Sequence, residues 1–129
     1  MSLGNTPQKR TTVSLGRQAE QFAADYLASQ GYIIVTRNHR CVGGEVDMIA
    51  WDGVVLCFVE VRYRATVDFG DPLETIDRRK ISRICKAAYH FLEEAFDGPW
   101  PTMRFDAIGI VSGEPPHLTL IRDAFEAVG

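Results

Sequence analysis

Apolar residues recur along the chain with two different periods, and the longer period predicts two helices. Over residues 14–30 they return every three or four positions, as on one face of an α-helix, and Gly31 ends the segment. The same spacing runs from Asp77, a predicted N-cap, to about residue 96, where the Gly-Pro-Trp-Pro segment at residues 98–101 stops it. Each helix therefore has an apolar stripe that needs a surface to cover.

Five shorter apolar runs predict strands. They cover residues 32–38, 46–51, 54–62, 103–111 and 118–121. The dipeptide Asp52-Gly53, typical of a hairpin turn, joins the second strand to the third. The order of elements predicts one α/β domain over residues 14–129, preceded by a flexible tail over residues 1–13. We expect strands two, three and four at the centre of the sheet, with both helices packed against it.

Length and composition limit the classes of protein. A chain of 129 residues with 46% hydrophobic and 24% charged residues fits one globular domain with a buried core. No apolar run is long enough for a membrane span, so no membrane partner is expected. Cys41, Cys57 and Cys85 are odd in number and lack a C-x-x-C spacing, which argues against disulfides and a zinc site and favours the reducing cytoplasm. The apolar surroundings of Cys57 and Cys85 predict buried thiols.

The net charge of −3 has the wrong sign for a protein that coats nucleic acid through bulk charge, so any such binding must be local. Positive charge is indeed clustered in two places. Its members are Arg62 and Arg64, and then Arg78, Arg79, Lys80, Arg83 and Lys86 at the start of the second helix. By helical geometry, Arg79, Arg83 and Lys86 point away from the core together with His90, and this stripe is predicted to contact phosphates.

Two acidic residues are predicted to meet across the hairpin. Side chains alternate along a strand, so Asp47 is expected to share a face with Glu45, Ile49 and Trp51 on the second strand. On the third strand Glu60 and Arg62 share a face. Counted outward from the turn, Asp47 and Glu60 should be direct or diagonal neighbours.

The sequence allows two interpretations of Glu60. It follows the apolar run of residues 54–59, where an ionised group needs a partner. Asp47 and Glu60 together could bind Mg²⁺, which takes one or two carboxylates and several waters. Alternatively, Glu60 forms an ion pair with Arg62 or another arginine. Glu20 and Lys80 lie at the edges of the apolar arcs of their helices, from which each could reach over the sheet or remain solvated.

Several motifs occur together and in order. They are Gly16-Arg17-Gln18-Ala19-Glu20, Arg37-Asn38-His39-Arg40, Gly44-Glu45-Val46-Asp47-Met48-Ile49-Ala50, Phe58-Val59-Glu60-Val61-Arg62, Phe69-Gly70-Asp71-Pro72 and Arg104-Phe105-Asp106. Over about residues 15–125 the chain resembles the YraN-like family of predicted nucleases. That family is similar to the restriction-endonuclease-like superfamily, to which archaeal Holliday-junction resolvases belong. The resemblance implies an αβββαβ core, with a mixed sheet flanked by helices.

The resemblance also implies roles for individual residues. Glu20 corresponds to the acid of the first helix, Asp47 to the strand Asp, and Glu60 to the acid of E-x-K, with Mg²⁺ or Mn²⁺ on Asp47 and Glu60. Arg62 stands where the pattern has Lys, and an arginine stabilises charge but cannot act as a general base. Lys80 could supply the missing amine.

Two functions stay open on this basis. One is a metal-dependent nuclease acting on structured DNA, with Arg64, Arg79, Arg83 and Lys86 as nucleic-acid contacts. The other is a non-catalytic nucleic-acid or protein-binding module that keeps the fold, favoured by Arg62 and by the acidic net charge. The likeness to resolvases also suggests a homodimer.

Overall fold

A computed structural model describes residues 12–66 and 70–128 of the chain. Its elements follow the predicted order. They are α1 (Thr12–Ser29), β1 (Ile33–Cys41), β2 (Gly44–Asp52), β3 (Val55–Arg64), a 3₁₀ helix (Pro72–Thr75), α2 (Arg78–Ala95), β4 (Met103–Val111) and β5 (His117–Ile121). The predicted N-cap is confirmed, because the Asp77 side chain accepts a hydrogen bond from the Lys80 N–H.

The boundaries differ from prediction mainly where strand pairing extends an element. β1 continues beyond residue 38 to Cys41, because it pairs with β2 as far as Gly44. Polar residues there are held in a strand by the backbone ladder and not by their own preference. α1 begins at Thr12, within the predicted tail, and the remainder of that tail, residues 1–11, lies outside the described residues.

The five strands form one mixed sheet in the order β1-β2-β3-β4-β5. β1, β2 and β3 are an antiparallel meander, β3 and β4 are parallel, and β5 returns antiparallel to β4. A parallel pair needs a crossover connection, and α2 is part of the connection between β3 and β4. The predicted central position of β2, β3 and β4 is confirmed.

The helices cover opposite faces of the sheet and make two cores. On the α1 face, small helix residues such as Ala23 allow close packing against strand residues such as Val59 and Ile108. On the α2 face, Ile84 and Leu92 pack with residues of β2, β3 and β4. The thiols of Cys57 and Cys85 are buried as predicted, one in each core. Neither of these two helices is long and apolar enough to cross a membrane, nor is any other helix in residues 12–66 and 70–128.

A buried carboxylate stabilises one end of the sheet. Asp106 on β4 is fully buried and accepts hydrogen bonds from the Tyr32 hydroxyl, the Arg104 guanidinium and the Asp123 N–H. Burial opposes its charge, but these donors hold the pKa of Asp106 below its usual range. Arg104 also pairs with Asp52 at 2.8 Å. This network links Tyr32, between α1 and β1, to Asp123, after β5.

Candidate active site

The paired ladder of β2 and β3 ends just before the two predicted acids. Met48 and Val59 are the last paired residues, and the Asp47 carboxylate accepts a hydrogen bond of 2.8 Å from the Val61 N–H. A side chain thus satisfies the N–H at the point where the regular ladder ends. Asp47 and Glu60 are the next residues on the two strands, one on each arm of what we call the fork.

The alternation of side chains along β2 reverses at Asp47. Val46 packs in the α2 core and Met48 in the α1 core, although residues two positions apart normally share a face. Opposite Asp47 on β1 stands Asn38, whose φ of +55° is uncommon for a residue other than glycine. The expectation that Asp47 shares a face with Ile49 is therefore wrong. Asp47 turns toward α1, whereas Ile49 packs beneath α2.

Asp47 interacts with an acid on each side. Burial raises the pKa of Asp47 to about 8, and the Glu60 carboxyl adds to this shift, while the Val61 N–H and Lys80 oppose it. Burial also raises the pKa of Glu20, and Asp47 again adds to the shift. Glu20, Asp47 and Glu60 therefore form a row of carboxyls that repel one another, here called the acidic row. Without a bound metal ion, Asp47 holds a proton at neutral pH.

Glu60 is the most deeply buried member of the acidic row, with 1% of its surface exposed. The Lys80 Nζ atom lies 3.2 Å from its Oε2 atom and the Arg62 Nη1 atom 3.5 Å away. These are charge contacts with poor hydrogen-bond geometry, and both Glu60 oxygens lack a hydrogen-bond partner among the described residues. The predicted ion pair with Arg62 is present. The oxygens nevertheless keep capacity for a donor or a cation.

Lys80 reaches from the first turn of α2 over the sheet, the first of the two outcomes considered for it. Its ammonium lies between Glu60, at 3.2 Å, and Glu45, at 3.5 Å. Glu45 also pairs with Arg40 at 3.5 Å. No sequence pattern assigned a role to Glu45. Its position two residues before Asp47 on β2 is the signal that could have drawn attention to it.

Arg62 is held from the other side by the 3₁₀ helix. Its Nε atom donates to the Thr75 hydroxyl at 2.7 Å and its Nη2 atom to the Thr75 carbonyl at 3.3 Å. The Thr75 hydroxyl in turn donates to the Pro72 carbonyl at 2.6 Å. The guanidinium is therefore fixed beside Glu60 as a permanent positive charge.

Open hollows flank the acidic row on both sides of the sheet. On the α1 side, a cleft of about 450 Å³ is lined by Glu20, Asp47, Asn38, Arg17, Arg40 and Tyr63 among others. On the α2 side, a hollow of about 320 Å³ is lined by Arg62, Thr75, Asp77, Arg79, Lys80 and Arg83. The α2 side is the more basic of the two. An anion can therefore approach the acidic row from a surface of opposite charge.

The predicted basic stripe on α2 is only partly as expected. Arg79 and Lys86 are exposed and Arg83 is half-buried, and none of the three forms an ion pair with a described residue. His90 does not belong to the stripe. Its Nδ1 atom lies 3.0 Å from His39 Nε2 on β1, so this part of the helix face packs against the sheet, which corrects the prediction for His90.

Arg64 lies apart from the stripe. It is the last residue of β3, half-buried, two positions beyond Arg62. The structure thus brings together Glu20, Asp47, Glu60, Arg62 and Lys80, with Arg79 and Arg83 at the edge of the same site. Arg64 and Lys86 lie farther out, at the end of β3 and beside the turn between β1 and β2.

The acidic row suits a hard divalent cation that keeps most of its waters. Within the described ranges, no three or more His, Cys, Asp and Glu side chains are arranged as a ready-made metal cage. Mg²⁺ does not require one, because it commonly binds through one or two carboxylates and retains several waters. Such a charge would coordinate the Glu60 oxygens, which lack hydrogen bonds from described residues, and would lower the raised pKa of Asp47. Asp47 and Glu60 are thus the residues that fit the ion.

Comparison with known sequences identifies the family. Residues 19–110 match the sequence model of the uncharacterised protein family UPF0102. The chain belongs to the UPF0102 family. A UPF0102 protein of Chlorobaculum parvum is 46% identical over 99 residues, covering 77% of this chain and 76% of its own. Those of Solibacter usitatus and Nitrosococcus oceani are 38% and 40% identical, covering 92% and 85% of this chain and 90% of each relative.

This membership confirms the resemblance to the YraN-like family. The region matched to UPF0102, residues 19–110, runs from α1 to β4 and contains the acidic row, Arg62 and Lys80. The site therefore lies within the part of the chain that defines the family. UPF0102 membership carries no activity with it, so the chemistry has to be argued from the residues.

Proposed function

We propose that this UPF0102 protein is a metal-dependent nuclease that hydrolyses phosphodiesters in structured DNA. The observation that carries the proposal is the state of Glu60, a wholly buried carboxylate beside Asp47 that is held by ion pairs with Lys80 and Arg62 and by no well-aligned hydrogen bond from a described residue. Burying such a charge is costly, and such sites are common where a protein binds or transforms a ligand. The likeness to the restriction-endonuclease-like superfamily supports the same chemistry.

In this proposal the metal has a limited task. Mg²⁺ or Mn²⁺ held by Asp47 and Glu60 would make a bound water more acidic and would stabilise charge on the phosphate. Lys80, 3.2 Å from Glu60, takes the place of the missing superfamily lysine and supplies a positive charge beside the phosphate. Arg62 contributes fixed positive charge to the phosphate. Glu20, on the α1 side of Asp47, orients water entering from the cleft.

DNA would be held mainly by its backbone. Arg79 and Arg83 border the α2-side hollow, and Arg64 and Lys86 extend the basic surface outward. Such side chains bind phosphates and fix the position of the duplex without reading its sequence.

We place this activity in the cytoplasm, in keeping with the free thiols of Cys41, Cys57 and Cys85. A homodimer, as in resolvases, would present two such sites to one branched DNA.

Cleavage of a substrate panel tests the proposal. Linear, nicked, branched and single-stranded DNA are incubated with the protein in Mg²⁺ or Mn²⁺ and analysed on gels. We expect Asp47→Asn and Glu60→Gln each to lower cleavage by on the order of a hundred-fold or more. Glu93→Gln is the matched control, since Glu93 is an exposed carboxylate on α2. Equal cleavage rates for the wild type and the three variants would show that Asp47 and Glu60 take no part in the reaction.

A second function has one observation in its favour. Arg62 replaces the lysine of the superfamily pattern and is bound to Thr75 at 2.7 Å, an arrangement that suits a static phosphate contact. A non-catalytic binding module with the same fold would behave differently in the panel. It would bind DNA in a salt-dependent way and leave every substrate intact in both metals.

Metal binding separates the two functions further. Isothermal calorimetry with Mn²⁺ or Mg²⁺ should show binding to the wild-type chain and weaker binding to the double variant Asp47→Asn with Glu60→Gln. Identical titrations of both proteins would exclude these carboxylates as the metal ligands.

A further inference from the structure

A second hollow lies beside the α1-side cleft and is not explained by phosphate chemistry. It has a volume of about 230 Å³ and shares Ala19 and Tyr63 with the cleft that contains Asp47. Ala19, a small residue of α1, lines both spaces, whereas Gly16 and Glu20 line the cleft and Phe22 lines the hollow. The two spaces therefore adjoin each other at Ala19 and Tyr63.

The hollow combines aromatic and aliphatic surface with polar groups. Phe22, a residue of α1, is 37% exposed in spite of its size. Tyr63 lies three residues after Glu60 on β3, half-buried against the α1 core, and its hydroxyl forms no hydrogen bond with a described residue. Leu15, Ile110 and Pro116 complete the apolar lining, and Gln18, Ser112 and Glu114 add polar groups. Partly exposed aromatic surface beside polar groups suits a planar ring with hydrogen-bonding edges.

The charged residues of the neighbouring cleft indicate the chemistry of a second part of the ligand. Arg17 lines that cleft, is exposed, and has no ion-pair partner among the described residues. Arg40, which pairs with Glu45, also lines it. A ligand that fits both spaces has an anionic part near the acidic row, where a metal would bind, and a planar part in the adjoining hollow. A nucleotide has this form, and nucleobases stack on aromatic side chains without regard to sequence.

We propose that the hollow between Phe22 and Tyr63 binds an unpaired nucleobase next to the phosphate at Asp47 and Glu60. This proposal rests on the nuclease function proposed above and names its substrate class. A base inside a duplex is stacked and paired, so it cannot enter a pocket on the protein without leaving the helix. The substrates are then nucleic acids with an unpaired nucleotide beside the scissile phosphate.

Binding to two oligonucleotides with equal charge tests the pocket. The first is a fluorescent single-stranded DNA, and the second has the same length and phosphates with abasic sites at its central positions. Affinity of the full chain is measured by anisotropy in a chelator, so that no cleavage occurs. We expect the wild-type protein to bind the first by on the order of ten- to a hundred-fold more tightly, as one or two stacked bases allow.

Variants assign that preference to the hollow. Phe22→Ala and Tyr63→Leu should reduce the preference for bases by on the order of ten-fold, with little change in affinity for the abasic strand. Trp100→Ala is the matched control, because Trp100 is a similarly exposed aromatic, 42%, that stacks on Tyr89 away from the site. If Tyr63→Leu fails to fold, the surface residue Phe22 carries the test alone.

The outcomes separate the two proposals. Equal affinity of the wild-type chain for both strands overturns the base pocket, while cleavage in the substrate panel still supports the nuclease. A base preference that survives Phe22→Ala and Tyr63→Leu, or that Trp100→Ala abolishes equally, also overturns it. Failure to bind either strand, with no cleavage of any substrate, contradicts both proposals.

Discussion

Asp47 destabilises the folded chain when no metal ion is bound. Its pKa is raised from 3.8 to about 8 by burial and by Glu60, so the folded chain keeps a proton that the unfolded chain has released. Between about pH 4 and pH 8 the unfolded state therefore binds fewer protons, and the free energy of unfolding falls as pH rises. Groups placed for function often carry such a cost.

This sign gives the first stability prediction. Asp47→Asn should raise the free energy of unfolding at pH 7 by about 1–3 kcal/mol, because the neutral amide can still accept from the Val61 N–H. Urea denaturation in a chelator at pH 5 and pH 8 measures it. The difference between variant and wild type should be larger at pH 8. The control Asp25→Asn changes an exposed carboxylate of α1 and should show no such trend.

Arg62 and Lys80 are both cations beside Glu60, but they are expected to differ in what they do. Lys80→Ala should lower cleavage by on the order of a hundred-fold or more, as for loss of a positioned charge-stabilising group. Arg62→Lys should retain or raise cleavage, and Arg62→Ala should lower it. Rates on the best substrate of the panel, with circular dichroism for folding, provide the measurement. Full activity of Lys80→Ala would show that the amine is not used.

At the scale of elements, two glycines differ in how closely another element approaches them. A Cβ atom on Gly44 of β2 would lie 2.5 Å from the Arg83 carbonyl and 2.9 Å from the Ala87 nitrogen, both backbone atoms of α2. Only a glycine allows this close approach of helix and strand. Gly16 on α1 has nothing within 4 Å of the same position.

The two alanine variants should therefore change stability in opposite directions. Gly44→Ala should cost about 1–3 kcal/mol through overpacking, and it should also displace Lys80 by moving α2. Gly16→Ala should gain up to about 1 kcal/mol, the difference in helix propensity. Thermal or urea unfolding of both variants measures this. A stable Gly44→Ala protein with unchanged cleavage would show that the helix can shift without affecting the site.

The sequence predicted the elements better than it predicted the fork. Helical and strand periods follow directly from which face is buried, so the order of elements and the central strands were accessible. The reversal at Asp47 lies opposite the positive φ of Asn38 on another strand, and a period-two pattern contains no signal for such a bend. Asp47 and Glu60 were nevertheless expected to meet, because the hairpin count fixes how far each lies from the turn.

Other features needed the third dimension. Lys80 lies at the edge of a helical arc, a position that allows both a solvated and an inward side chain, and only Glu60 and Glu45 decide between them. His90 has the helical position of an exposed residue, but β1 extends far enough to bring His39 against it. Local patterns cannot show these contacts, because their partners are distant in sequence.

At the scale of the whole molecule, net charge and local charge act in opposite directions. The chain carries −3 overall, whereas Arg79, Arg83 and Lys86 present cations on one side that no described residue neutralises. Replacing these three by Gln should weaken binding of all DNA sequences alike. The slope of log affinity against log salt should fall by roughly 0.9 for each phosphate that the variant no longer neutralises. Titrations at several salt concentrations with two unrelated sequences test this, and a weakening confined to one sequence would contradict it.

The network around Asp106 has a consequence for the order of folding. Its bond with Tyr32 joins residues 74 positions apart, and the bond between Arg122 and Tyr32 spans 90, whereas the meander of β1, β2 and β3 is local. Contacts with large sequence separation have a high loop-closure cost and tend to form after the local ones. In stopped-flow chevrons, Asp106→Asn should therefore speed unfolding by on the order of ten-fold or more and leave the folding rate nearly unchanged. The first third of the chain would then be joined to its last residues late, after the transition state has been crossed.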